Sequence, residues 1–308
     1  MTIAADTGDR ELDFEARYRT GQAYFAIGDF GKALELLSRC VERGGHESSQ
    51  PSILFTSWAH SWLALTLSNL GRFEDARAHA QEALQIAEAA DHPFTLAEAL
   101  AGAGSVSLAQ GDLDQAVAAL ERARVLVVEW RLQPWAVFAR LGYAHVLSAR
   151  PAEARRLLGD VIESASTMSA MGVSRAMQLG WLGEACLLEG RFDEALAHAQ
   201  DALSLAQRHR ERNHEAWCLR LLGHIVSHRD PVYFEQAEGY YGKALSLADT
   251  LGARPLAAHC HLSLGELLQR RGRQAQAREH LRTATRMYRE MDMRTWLARA
   301  EVGLRESG

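Results

Sequence analysis

His224 and His228 stand four residues apart, a spacing that puts both imidazoles on one face of a helix, and His259 lies on the helix that should pack alongside. Such a set could hold a metal ion or sense pH. No carboxylate or cysteine of matching orientation accompanies it, and thirteen histidines make chance pairs common, so ordinary groove-lining histidines remain the stronger reading. Gly28-Asp29-Phe30-Gly31-Lys32-Ala33 has the flavour of a phosphate loop but lacks its spacing and its hydroxyl. Gly102-Ala103-Gly104 begins like a dinucleotide turn without a preceding strand. The sequence has no Gly-x-Ser-x-Gly elbow, no His-Glu-x-x-His helix and no deaminase pattern. The expectation is a protein without catalytic residues, bound cofactor or metal.

The elements that would carry these side chains are set by a repeat. Seven times between Gly21 and Gly265 a small residue is followed by a second about 12 positions on and a third 7 further. The triads are Gly21/Ala33/Cys40, Ala64/Ala76/Ala83, Gly104/Ala116/Ala123, Gly142/Ala154/Val161, Gly183/Ala195/Ala202, Gly223/Ala237/Ala244 and Gly265/Ala277/Ala284. Antiparallel helices approach closely only where the crossing side chains are small, and a spacing of 7 keeps two of them on one helical face. Between the first and second small residues lies a turn such as Leu70-Gly71-Arg72-Phe73 or Glu189-Gly190-Arg191-Phe192. The glycine can close one helix in the left-handed conformation, and the apolar residue two later begins the next.

These residues resemble the tetratricopeptide repeat (TPR), most closely at Gly21-x-x-Tyr24 with Gly28-x-Phe30-x-x-Ala33. The step between units averages about 41 against the family's 34, and the surplus is close to two helical turns, so each helix is read as lengthened by one turn. The predicted fold is all-α: an α-α superhelix of about seven long-helix repeats whose units touch mainly their neighbours. The predicted organisation is a flexible N-terminus over 1–12, a repeat array over 13–294 and a C-terminal capping helix over 295–308. Two units are irregular, the fourth at Ala149-Arg150-Pro151 and the sixth at Asp230-Pro231-Val232-Tyr233-Phe234. Between units, connections are expected at Gly44-Gly45-His46, Asp91-His92-Pro93, Gln133-Pro134, Met171-Gly172, Arg212-Asn213 and Gly252-Ala253-Arg254-Pro255.

Composition narrows the partners. The net charge of −5 argues against general nucleic-acid affinity, although the segment from Arg254 to Arg305 is rich in arginine. No apolar run is long enough to span a bilayer and the N-terminus lacks a signal-peptide layout, so a cytoplasmic location without membrane contact is expected. Cys40, Cys186, Cys218 and Cys260 read as buried thiols.

The stretch His259-Cys260-His261-Leu262-Ser263-Leu264-Gly265-Glu266-Leu267, with Met287-Tyr288-Arg289-Glu290-Met291 and Trp296-Leu297, resembles the TPR tail of bacterial class III adenylate or guanylate cyclases and large ATP-binding signalling proteins. The resemblance implies a bacterial regulatory array and carries over no catalytic residue. From the family arrangement, first helices line a concave groove in a right-handed superhelix. The candidates for that face are Tyr18, Gln22, Trp58, Leu65, Ser105, Tyr143, Glu184, Leu187, Arg220, His224 and Glu266. The expected function is a non-enzymatic scaffold that binds a protein or peptide, extended or helical, in this groove, with self-association left open. The alternative is a ligand-responsive sensor module of a cyclase, signalling ATPase or transcriptional regulator.

Overall fold

The computed structural model describes residues 10–44, 50–132, 135–164 and 174–306. Among them every regular element is helical. Fourteen α-helices form seven antiparallel pairs: α1 Arg10–Ile27 with α2 Phe30–Gly44, α3 Gln50–Asn69 with α4 Phe73–Ala89, α5 Pro93–Gln110 with α6 Leu113–Glu129, and α7 Trp135–Leu147 with α8 Pro151–Ser164. The series continues with α9 Arg175–Leu188 and α10 Phe192–His209, α11 Arg212–Arg229 and α12 Phe234–Leu251, and α13 Arg254–Arg270 with α14 Gln274–Glu290. A last helix, α15 Arg294–Glu306, covers the seventh pair. Helices run from 13 to 20 residues, the lengthening that the period of the sequence demands. Residues 1–9 of the expected flexible terminus lie outside the described residues, and 10–12 already belong to α1.

The triads do what their sizes require. The second and third members are at most 2 % exposed in all seven units. A Cβ placed on Gly104, Gly142 or Gly265 would come within 2.6–2.8 Å of the Cγ of Leu120, Leu158 or Leu281, so the leucine one turn past the second small residue fills the space that glycine vacates. In the sixth unit the partner of Gly223 is Tyr241. All four cysteines are buried thiols outside any disulfide, and burial pushes Cys218 and Cys260 up to about 12. The proline insertion of the sixth unit forms a 3-10 turn over Pro231–Tyr233, opened by Asp230, whose carboxylate accepts from the Val232 N–H at 2.8 Å.

Two expectations are corrected. Arg212 and Asn213 form the first turn of α11 rather than a loop; the connection is Arg210-Glu211, with Arg210 in the left-handed region at φ 59°. The expected segments 45–46, 133–134 and 171–172 lie outside the described residues. More consequentially, the units do not touch only their neighbours. The superhelix closes on itself after five units, so the turns of units one to three sit on the far end of the chain. Gly28 meets Leu251 and the backbone of Asn213; Gly71 meets Met291 and Arg254; Gly111 meets Thr295 and Trp296. Three polar contacts stitch this seam: Asn213 Nδ2 donates to Asn69 Oδ1 at 3.0 Å, Gln110 Nε2 to the Asp292 carbonyl at 3.1 Å, and Thr295 Oγ1 to the Gly111 carbonyl at 2.8 Å. Spacing within a unit cannot reveal such a contact, because it depends on the small rotation accumulated from unit to unit.

Candidate functional site

Closure turns the concave face into the wall of an axial cavity of about 180 Å³ to which the first helix of every unit contributes. Counted from each unit's first small residue, the wall is built from positions −6, −2, +1 and +5, the four-three-four steps of one helical face. Leu65, Ser105, Tyr143 and Glu184 are the +1 residues of units two to five and all line the cavity. Met177 and His259 hold position −6, Arg140 and Trp181 position −2, and Asn69 and Leu147 position +5. Trp217 and Trp296 complete an aromatic lining in which Tyr143 and Trp181 stack at 4.5 Å and 13°.

The charges in and behind this wall are buried and paired. Burial raises the Glu184 carboxyl, and the Arg220 guanidinium 3.5 Å away pulls it back. Glu98 and Arg140 form a second such couple, burial raising the acid and lowering the base while each favours the other's charge. Burial also raises the Tyr143 phenol. Arg220 lies over the Trp217 ring at 5.1 Å and donates through Nη1 to His224 Nε2 at 2.7 Å. That bond fixes the acceptor nitrogen of His224, whose pKa is driven well below normal first by burial and then by Arg220.

Other candidates fall elsewhere. His224 and Glu266, the +1 residues of units six and seven, line a separate polar concavity near the cap with Tyr241, Ser263 and Arg270. Gln22 donates to the Tyr18 hydroxyl at 2.9 Å, and Tyr18 is only 4 % exposed within the first unit's core. Trp58 stacks edge-on against Phe55 and Phe94. Leu187 packs onto the core shared by units four to six and does not reach the cavity. The sequence reasoning missed Trp181, Met177, Arg140, Trp217 and Asn213; stepping the +1 face back one turn reaches Trp181 and Arg140, and a second turn reaches Met177 and Trp217.

The histidines do not converge. His228 Nδ1 donates to the His224 carbonyl at 2.8 Å, while His259 Nδ1 meets the Tyr288 hydroxyl at 2.8 Å. Among the described residues no group of three or more His, Cys, Asp or Glu side chains could hold a metal. Ser174, His214 and Glu211 have the residue types of a hydrolytic triad, but the serine Oγ at 3.1 Å and the carboxylate at 2.9 Å both meet Nδ1 of His214, so no proton relay runs through the ring. Ser174 instead caps α9 by accepting from the Met177 N–H.

Comparison with known proteins places this architecture. Solved structures of similar fold include a Rap protein complexed with competence and sporulation factor, at 14 % identity and TM-score 0.72 over 94 % of this chain and 79 % of that one. The Rap conjugation gene regulator of plasmid pLS20, in complex with the Phr* peptide, matches at 13 % and 0.68 over 92 % and 76 %. NprR with its cognate peptide NprX matches at 13 % and 0.64 over 97 % and 84 %. No curated protein matches the sequence. Tetratricopeptide repeat family models match residues 15–43, 55–127, 139–210 and 234–290, six of the seven helix pairs in whole or large part, and the chain belongs to the tetratricopeptide repeat family.

Proposed function

We propose that this chain is a regulatory scaffold that binds a short peptide in its axial cavity. The observation that carries the reading is an apolar and aromatic cavity wall, Leu65, Tyr143, Trp181, Trp217 and Trp296, interrupted by the polar side chains of Asn69, Ser105 and Glu184. Such a lining, with few polar groups to fix orientation, is that of a binding cavity. Size sharpens the class. At roughly 10–15 Å³ per water centre the cavity holds about 12–18 waters, the space of a segment of about three to five residues. That size suits an extended segment better than a helix about 10 Å across. The similar Rap and NprR structures are complexes with a peptide or a factor, which agrees with this class.

The sensor reading is favoured by one observation: Asn213 and Trp296 belong to the cavity wall and to the closing seam together. An occupant that displaces either side chain changes the seam. The test is selection of short peptides from a random library against the full chain, followed by titration against Trp181→Ala and Leu65→Asp. Both variants should weaken a selected peptide by tenfold or more with helicity intact. Failure to select any peptide, or undiminished binding by both variants, removes the cavity as the site.

A further inference from the structure

Outside the cavity, two of the seven units carry a feature that packing does not need. His60 on α3 faces His79 on α4 with the two Nδ1 atoms 2.9 Å apart, and His261 on α13 faces His280 on α14 at the same 2.9 Å. The register is identical: four residues before the first small residue and three after the second. At this crossing position units three, four and six hold Leu100 with Ala119, Phe138 with Leu157, and Leu219 with Tyr240, so apolar residues suffice to pack it, while units one and five hold Arg17 with Leu36 and Leu179 with His198.

We propose that each of these imidazole pairs binds one divalent transition-metal ion. Two nitrogens that face each other through Nδ1 share one proton, since one must donate and the other accept. When a metal takes that place the shared proton moves, by way of solvent, to Nε2 of the donor ring, so both rings are neutral Nε2–H tautomers and both Nδ1 lone pairs are ligands. Two metal–nitrogen bonds of about 2.05 Å meeting at a right angle span about 2.9 Å, whereas a tetrahedral pair spans about 3.3 Å. A nitrogen separation of 2.9 Å is what a right-angle pair needs, as at Cu²⁺ or Ni²⁺. In the pairs as they stand that distance belongs to the shared hydrogen bond: with ring centroids 5.1 Å apart the two nitrogens point at each other, and each ring turns by about 45° about its Nδ1 to aim its lone pair at an ion beside the N–N line. Burial lowers all four imidazoles, His60 and His261 to about 4, which keeps them neutral and ready to coordinate at neutral pH. Asp75 and Glu82 beside the first pair, and Glu279 and Glu238 beside the second, offset the ion's charge against Arg72 and Arg286. With no third protein ligand among the described residues, water completes the shell.

The experiment titrates the full, untagged chain with CuSO₄ alone, and separately with NiCl₂, following heat and the nitrogen hyperfine structure of the copper signal. Two equivalents should bind in a two-nitrogen environment. His79→Ala, which borrows the residue that unit three uses, should leave one equivalent, and His79→Ala/His280→Ala only the background of the scattered histidines. Circular dichroism on each variant confirms that helicity is kept. Unchanged stoichiometry in the double variant, or no binding by the parent above that variant, overturns the proposal and leaves two hydrogen-bonded pairs.

Discussion

The same turn occurs in two settings. Gly71 and Gly190 both follow a first helix, adopt φ of 75° and 73°, and precede an Arg-Phe that opens the second helix. A Cβ on Gly71 would overlap Met291 Sδ from the distant end of the chain, while a Cβ on Gly190 would meet nothing within 4 Å. One motif thus serves as a helix stop in the free arc of units four and five and as a contact surface in the seam arc. Local sequence specifies the stop, and the winding of the superhelix decides whether the stop is also an interface.

The largest expected effect comes from Gly71→Val against Gly190→Val. Both strain a left-handed residue by about 1–2 kcal/mol, and the first adds an overlap worth about 1–3 kcal/mol more. Urea unfolding should show that gap, and small-angle scattering should show expansion only for the Gly71 variant; matched stability and shape would mean that the seam does not hold in solution. Next, Ala76→Phe in the seam arc and Ala195→Phe in the free arc should each cost about 1–3 kcal/mol, with Gln81→Phe near neutral, because the triads act within units. A large difference between the two alanines would show the arcs to be coupled at the crossing itself. Asn69→Ala removes one seam hydrogen bond and should cost about 1 kcal/mol, read by thermal melting. The smallest effect is acidic. His60 and His261 have pKa values lowered from 6.5 to about 4, so the unfolded chain takes up protons first as pH falls and stability drops below about pH 6.5. Between pH 7.5 and 6.5 this amounts to at most a few tenths of a kcal/mol per histidine. Hydrogen-exchange protection, corrected for the intrinsic rate, should fall between pH 7.5 and 6.5 in units two and seven before units four and five.

The repeat and the cavity face were legible because each follows from side-chain size and helical period. Every small residue named as second or third in a triad is buried, and the +1 positions of units two to five reach the cavity. Tyr18 and Leu187 were misplaced for a physical reason: at −3 and +4 each sits one residue, about 100° of helical turn, off the −2 and +5 positions of the cavity face and packs into a core instead. Trp296 was readable only as an amphipathic capping residue. Its place in the cavity depends on the closure, which the step between units does not encode.

The contact between Asn69 and Asn213 spans 144 residues, and that between Gly111 and Thr295 spans 184. In an open solenoid every contact is short-range and folding can begin anywhere and spread. Here each seam turn waits for chain made about five units later: the turn of unit one for unit six, that of unit two for unit seven, and that of unit three for α15. Closing so long a loop slows that last step relative to the stacking of neighbours. A refolding experiment on the whole chain should therefore resolve two phases, the slower one carrying the tryptophan signal of residue 296.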